Sequence, residues 1–276
     1  MNFITSVLLA LLGVFSGFLG GLLGVGGGII VVPILILIFD LKAQQAIGTS
    51  LVMIIFTALS AAFAYQRQKR LDWRVGITAA SVTVPGAAIG AYATKFFSSQ
   101  SLTMLFGIFL LFIAAFMFRR SYRTRNETKT RTEARSKTGR LVWQRKIIDA
   151  YANVFEYDAD MLSGLALLFF GGLASGFFGI GGGLIVVPIL MSVVGLPMHL
   201  AVATSMLIMI FTSISGVTAH IMLGNVLFEY ALPLVLGIVI GAQLGARAAT
   251  LLRSASLERV FAVVVFVMGI LLIVTG

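Results

Sequence analysis

Residues able to do chemistry are scarce in this chain of 276 residues, and the clearest of them come in pairs. Gly24-Val25-Gly26-Gly27-Gly28 precedes Ile29-Ile30-Val31-Val32-Pro33, and 155 residues later Gly179-Ile180-Gly181-Gly182-Gly183 precedes Leu184-Ile185-Val186-Val187-Pro188. A glycine turn ahead of an apolar helix leaves backbone N–H groups free at the positive end of the helix dipole, so it can hold an anion. Glycine also lets membrane helices touch backbone to backbone, and packing is the competing reading of the same residues. Thr49-Ser50 and Thr204-Ser205 repeat at the same offset. Their hydroxyls can hold anion oxygens or bond the preceding turn of their own helix. The candidate substrate contacts are therefore Gly26, Gly27, Gly28, Thr49, Ser50, Gly181, Gly182, Gly183, Thr204 and Ser205. Gln243 joins them because its counterpart is Ala88, and a buried amide in a membrane needs partners.

Other chemistries find little support. There is no cysteine, hence no disulfide framework and no thiol ligand. Paired acids, a spaced histidine pair and a Ser/His/Asp cluster are all missing, so neither an enzyme nor a metal or other cofactor is expected. The glycine runs are not phosphate loops, since no βαβ context surrounds them and no Walker lysine follows. His220 stands where the first half has Tyr65, and packing is its expected role. Arg247 is expected to snorkel to the interface.

The register extends well beyond the motifs. Phe56-Thr57 matches Phe211-Thr212, Gly86 and Gly90 match Gly241 and Gly245, and Phe106 matches Phe261, which marks two copies of one unit. With 59% hydrophobic and 11% charged residues and a mean hydropathy of +1.05, the chain reads as an all-α polytopic membrane protein. Continuous rather than alternating apolar runs exclude a β-barrel. Each copy has five apolar segments, at 3–23, 28–40, 44–65, 75–95 and 102–118, then 161–178, 183–195, 199–222, 230–251 and 257–275. The second of each set reaches only about 20 Å as a helix, against a hydrocarbon core of about 30 Å. Its proline and β-branched run predict a broken helix within the membrane, tolerated only inside protein or beside a cavity. The start, Met1 to Leu12, reads as the first membrane helix rather than a cleaved signal.

Eleven of the 20 basic residues lie between Arg119 and Lys146. Beside a membrane helix, such a loop faces the cytoplasm and touches anionic lipid headgroups; nucleic acid is not the expected partner. Arg67, Lys69, Arg70 and Arg74 place another loop on the same side. Five crossings per copy is an odd number, so the copies are expected to be inverted, bringing two helix starts to mid-membrane as in secondary transporters. The expected organisation is a first repeat over 1–118, a basic cytoplasmic linker over 119–160 and a second repeat over 161–276. Within the linker, 119–140 is expected to be flexible. Trp143, Ile147, Tyr151 and Phe155, four apart, predict an interfacial amphipathic helix, with a plain linker as the competing reading.

The doubled G-[VI]-G-G-G-x-[IL]-x-V-P element, the Thr-Ser pairs, the glycines near Gly86 and Gly241 and the basic central loop together resemble the TauE/SafE sulfite exporter family of membrane permeases. The resemblance implies a carrier in a prokaryotic cytoplasmic (inner) membrane. It would move sulfite, sulfoacetate or another small organosulfonate by alternating access, at the glycine and hydroxyl positions named above, with homo-oligomerisation possible. An anion channel, or the membrane subunit of a larger complex, are the other classes this sequence allows.

Overall fold

The computed structural model describes residues 3–126, 142–249 and 254–275. Ten helices account for most of them: α1 (Phe3–Leu23), α2 (Gly28–Leu37), α3 (Ala43–Arg67), α4 (Trp73–Ala93), α5 (Ser99–Asn126), α6 (Met161–Phe178), α7 (Gly183–Ile189), α8 (Met198–Met222), α9 (Phe228–Ala248) and α10 (Ser254–Thr275). Among the described residues, six of them (α1, α3, α4, α6, α8 and α9) are long and apolar enough to cross a membrane. The second segments are short, as expected. Ile29 to Val32 nonetheless form regular helix despite their β-branching, because all four are fully enclosed in the core and burial outweighs intrinsic propensity.

Helices α3 and α8 form the centre, each buried over 78% of its apolar stretch. They run antiparallel. Thr49 at the start of α3 meets Leu227 beyond the end of α8, and Thr204 near the start of α8 meets Asp72 beyond the end of α3. Around them, α1 packs on α9 and α4 packs on α6 through stripes of glycine. A Cβ on Gly245 would lie 2.0 Å from the Phe18 carbonyl oxygen, and a Cβ on Gly90 would lie 2.0 Å from that of Leu173. Gly90 matches Gly245 and Phe18 matches Leu173 at the 155-residue offset. Close approach of this kind replaces the hydrophobic drive that lipid cannot supply.

The linker departs from expectation. Helix α5 continues to Asn126, so the first part of the basic stretch is helical; residues 127–141 lie outside the described residues. The amphipathic helix expected over Trp143 to Phe155 is instead an antiparallel hairpin of β1 (Val142–Ile148) and β2 (Val154–Asp160), so the chain is not wholly α. A spacing of four is a multiple of the strand period of two as well as near the helical period. Here β-branched and aromatic residues favour the strand. Trp143, Ile147, Phe155 and Tyr157 face the protein, packing on a buried cluster that includes Val75, Val194, Leu196 and Leu200.

Gly90→Ala and Gly245→Ala should each lower the unfolding temperature in detergent, and by similar amounts, since each forces a carbonyl out of contact. Gly224→Ala, which has φ of 70° and nothing within 4 Å of the added carbon, should cost only the left-handed backbone penalty, about 1–2 kcal/mol. Thermal unfolding of the three variants checks the ordering.

Candidate functional site

The two glycine turns meet at the centre of the molecule. Gly24, Gly26 and Gly27 have φ of 78°, 83° and 81°, and Gly179, Gly181 and Gly182 have φ of 69°, 69° and 82°, a left-handed path that side chains resist. The turns press on each other reciprocally. A Cβ on Gly28 would lie 2.4 Å from the Gly179 carbonyl oxygen, and one on Gly183 would lie 2.1 Å from that of Gly24. Both turns rest on Ile54 of α3 and Met209 of α8, themselves 155 residues apart. Helix α2 makes its first backbone bonds from Ile30 and Val31 to the Gly27 carbonyl. The N–H groups of Gly28 and Ile29 come before them and have no acceptor within the helix.

The expected hydroxyls are present but bonded. Ser50 Oγ donates toward Gly179 O at 2.7 Å and stands equally near Ile47 O. Ser205 Oγ stands 3.1 Å from Gly24 O and 2.8 Å from Val202 O. Each serine thus ties its own repeat's third helix to the other repeat's glycine turn. Thr49 Oγ1 accepts the Leu227 N–H and Thr204 Oγ1 accepts the Asp72 N–H, both at 3.1 Å, so these two hydroxyls hold the starts of α9 and α4. His220 repeats the role of Tyr65. Tyr65 donates its hydroxyl to Gly21 O at 2.8 Å, and His220 Nε2 faces the matching Gly176 O at 3.2 Å. Among the described residues, the buried side-chain oxygens without a hydrogen-bond partner are those of Ser175 and Ser213. Ser175 lies against Gly182.

Gln243 is placed elsewhere, in a cavity of about 300 Å³ between the ends of α3 and α9, together with Arg67, Gln68 and Arg247 and roofed by Ala150 and Tyr151 of the hairpin turn. The structure therefore gathers Gly26–Gly28, Gly181–Gly183, Ser50 and Ser205 into one contact region, and leaves Thr49, Thr204 and Gln243 outside it.

The sequence profile described as Sulfite exporter TauE/SafE matches residues 9–272. The chain belongs to that family. It is 35% identical over 277 residues to the probable membrane transporter protein YunE of Bacillus subtilis, covering 98% of both chains. It is 27% identical over 281 residues to the probable membrane transporter protein MJ0441 of Methanocaldococcus jannaschii, covering 96% of this chain and 94% of that one. YdhB of Bacillus subtilis, also described as a probable membrane transporter protein, is 26% identical over 95% of this chain and 96% of its own. No solved structure matches. This TauE/SafE chain is thus an integral membrane transporter and not an enzyme.

In this TauE/SafE member, sequence reasoning missed a clasp at the basic end. Asp149 at the hairpin turn binds Arg70 (2.9 Å), and Asp72 at the start of α4 binds Arg145 (2.8 Å) and the Tyr157 hydroxyl. The Ala150 N–H donates to Gln68 O at 2.9 Å, and the Arg74 guanidinium covers the Trp143 ring. The hairpin also reaches the second half, where Phe155 packs on His199. Asp72 matches Leu227, so the repeat register marks it as a position where the ends differ. Burial alone would raise the Asp149 carboxyl. Hydrogen bonds from Asn153, Arg70 and the Tyr151 N–H prevail and hold it at about 2. Burial likewise opposes ionisation of Asp72, and bonds from Arg145, Tyr157 and the Val75 N–H keep it below the usual range.

Two expectations follow from these contacts. Ser50→Ala and Ser205→Ala should each destabilise the fold by about 1–2 kcal/mol, because a buried carbonyl loses its donor; chemical unfolding in detergent measures this. A carboxylate with a depressed folded pKa stabilises fully above the ordinary aspartate range and loses that contribution as pH falls through its folded value. Hairpin docking should therefore persist at pH 5 and weaken as pH falls toward 2. Trp143 fluorescence in a Trp73→Phe background should follow it.

Proposed function

We propose that this transporter moves a small sulfur-containing anion, sulfite or an organosulfonate such as sulfoacetate, by alternating access between two inverted repeats of five segments joined by the linker. The observation that carries this reading is the reciprocal meeting of the two glycine turns between antiparallel α3 and α8. The approach of each turn to the other, to the opposite serine and to Ile54 and Met209 recurs at the 155-residue offset. Two elements related in this way give the two sides of a membrane equivalent routes to one central point, which is the arrangement alternating access needs.

An anion reaching that point loses its water shell, and donors must replace it. The N–H groups at the start of α2 and the buried hydroxyl of Ser175, which lies against Gly182, are the donors at hand. In the present conformation the turns are in contact, so the substrate seat opens as they separate, with Ser50 and Ser205 exchanging carbonyl partners for anion oxygens. The family match favours the sulfur oxyanion, while the basic linker suits contact with anionic headgroups.

Purified protein in liposomes should exchange labelled sulfoacetate or sulfite in a saturable manner and accumulate it against a gradient by counterflow. High unitary conductance without saturation would instead identify a channel. Gly27→Leu places its side chain against the Ser16 carbonyl, 2.6 Å from the Cβ position, and should abolish exchange; wild-type exchange by a normally folded Gly27→Leu protein would remove the turns from the path. With no native cysteine, Lys69→Cys should react only from the cytoplasm, and Ser98→Cys and Asn225→Cys only from outside. Labelling of Lys69→Cys and Asn225→Cys from one side would end the inverted arrangement.

A further inference from the structure

The two buried hydroxyls without a partner both stand in the second half of the chain. Ser175 of α6 and Ser213 of α8 are fully enclosed, and neither side-chain oxygen reaches a hydrogen-bond partner in the protein. A helical serine or threonine commonly bonds a carbonyl of its own preceding turn. Thr57 and Thr212 do so, to Met53 O and Ile208 O. Ser60 and Ser215, which recur at the 155-residue offset, bond Val239 O and Val84 O, themselves 155 residues apart. Hydroxyls that serve the packing are thus bonded in both halves. An idle one in the interior is costly and calls for an explanation.

At the same offset Ser175 corresponds to Gly20 and Ser213 to Ala58, so neither hydroxyl has a counterpart in the first half. The packing differs with them. A Cβ on Gly20 would lie 2.7 Å from the Gly27 nitrogen, which leaves no room for a side chain there, yet Ser175 carries one at the matching place. The second turn stands correspondingly farther from its helix. A Cβ on Gly182 would lie 3.3 Å from Ser175 Cβ and 3.5 Å from its Oγ, whereas one on Gly27 would meet the Ser16 carbonyl oxygen at 2.6 Å. Ser213 shares a face of α8 with Met209, four residues before it, and Gly216, three residues after it. The Met209 sulfur lies 2.8 Å from the Cβ position of Gly183, and the Cβ position of Gly216 lies 3.7 Å from Gly176 Cα. The face that holds Ser213 thus runs from the second glycine turn to the chain neighbour of Ser175.

We propose that Ser175 and Ser213 are the standing contacts of an unequal substrate seat, on the second half's side of the glycine contact, where their hydroxyls donate to oxygens of a sulfur oxyanion. The seat rests on the carrier reading and adds a location to it. A hydroxyl is a neutral donor that rotates to suit its acceptor. Its bond to an anionic oxygen is stronger than one to a neutral oxygen. Ser50 and Ser205 must release a carbonyl before they can hold an anion. Ser175 and Ser213 release nothing, and an arriving oxyanion removes the cost of their idle state. The anion is therefore held toward α6 and α8, off the point where the two turns meet.

The test uses the full-length protein in liposomes. The chain has no cysteine, so an introduced thiol reports alone. Ser175→Cys, Ser213→Cys and Ala58→Cys are each exposed to a small thiol reagent that carries a sulfonate, an anionic methanethiosulfonate. Ala58→Cys gives the rate at the matching buried place in the first half. In a second arm, exchange of labelled sulfite is measured for Ser175→Gly with Ser213→Ala, the residues that the first half carries at these positions. An anion seat here should make the first two thiols react at least tenfold faster than the third. It should also raise the sulfite concentration for half-maximal exchange at least tenfold in the double variant, with no fall in its unfolding temperature. Equal labelling at the three places, or an unchanged half-maximal concentration, overturns the seat and leaves the hydroxyls facing a trapped water. Absence of sulfite exchange in the wild type with the labelling difference intact would instead overturn the sulfur-anion carrier reading and leave the unequal seat standing.

Discussion

The contact between the two glycine turns is the constraint on which the rest of the structure depends. Gly28 reaches the Gly179 carbonyl and Gly183 reaches the Gly24 carbonyl so closely that no side chain fits at either place. The contact also brings backbone carbonyls into the buried centre of the molecule, where an unpaired one would be costly. Ser50 and Ser205 answer that need, each reaching across to the other repeat's turn. The surrounding helices serve the same contact. Glycine stripes on α1, α4, α6 and α9 let the outer pairs close until α3 and α8 are forced around the turns. The central helices are accordingly the most enclosed and the outer four the least.

Equivalent positions keep equivalent functions even where the residue changes. Tyr65 and His220 are different side chains, yet each sets a polar atom against the carbonyl of the equivalent glycine, Gly21 for one and Gly176 for the other. Where function differs, the residues differ with it. Leu227 starts α9 without a side-chain cap, whereas Asp72 starts α4, caps it, and carries the ion pair to the hairpin. A buried ion pair is weak evidence for stability, because desolvation offsets most of the attraction. Its clearer effect is on geometry, since a misplaced hairpin would leave Arg70, Asp72 and Asp149 unpaired.

Much of this was legible in the sequence. The constant 155-residue offset was visible in the sequence, hydropathy placed most of the helices to within a few residues although α5 runs eight residues past its expected end, and the proline after each glycine run marked the short second helices. The glycine turns that the sequence singles out touch each other in the structure. The partners of the hydroxyls were not legible. A Thr-Ser pair has the same local signature whether it holds an anion or a carbonyl, and here the decisive carbonyls lie 129 and 181 residues away in the chain. The hairpin was misread because spacing by four satisfies both periods. The cavity was half legible: Gln243 stood out by comparison with Ala88, and the same comparison extended to Arg67 and Gln68 would have found its other wall. Tyr151, which belongs to no repeat, carries no such signal.

On the carrier reading, the symmetry has an energetic consequence. Conformations open to either side would break equivalent sets of contacts, glycine stripe for glycine stripe and serine for serine. The repeated elements would therefore contribute nearly equally to both and would not decide between them. The preference must come from what is not repeated. In the described residues that means the hairpin clasp and the charged end beneath it, where Arg70, Asp72, Arg145 and Asp149 tie the first half's loop to a strand pair that also packs on the second half. A ligand or a pH change can shift an equilibrium only through a difference in its interaction with the two states. The unequal end is thus where such a difference can arise, while the glycine turns set the path that both states share.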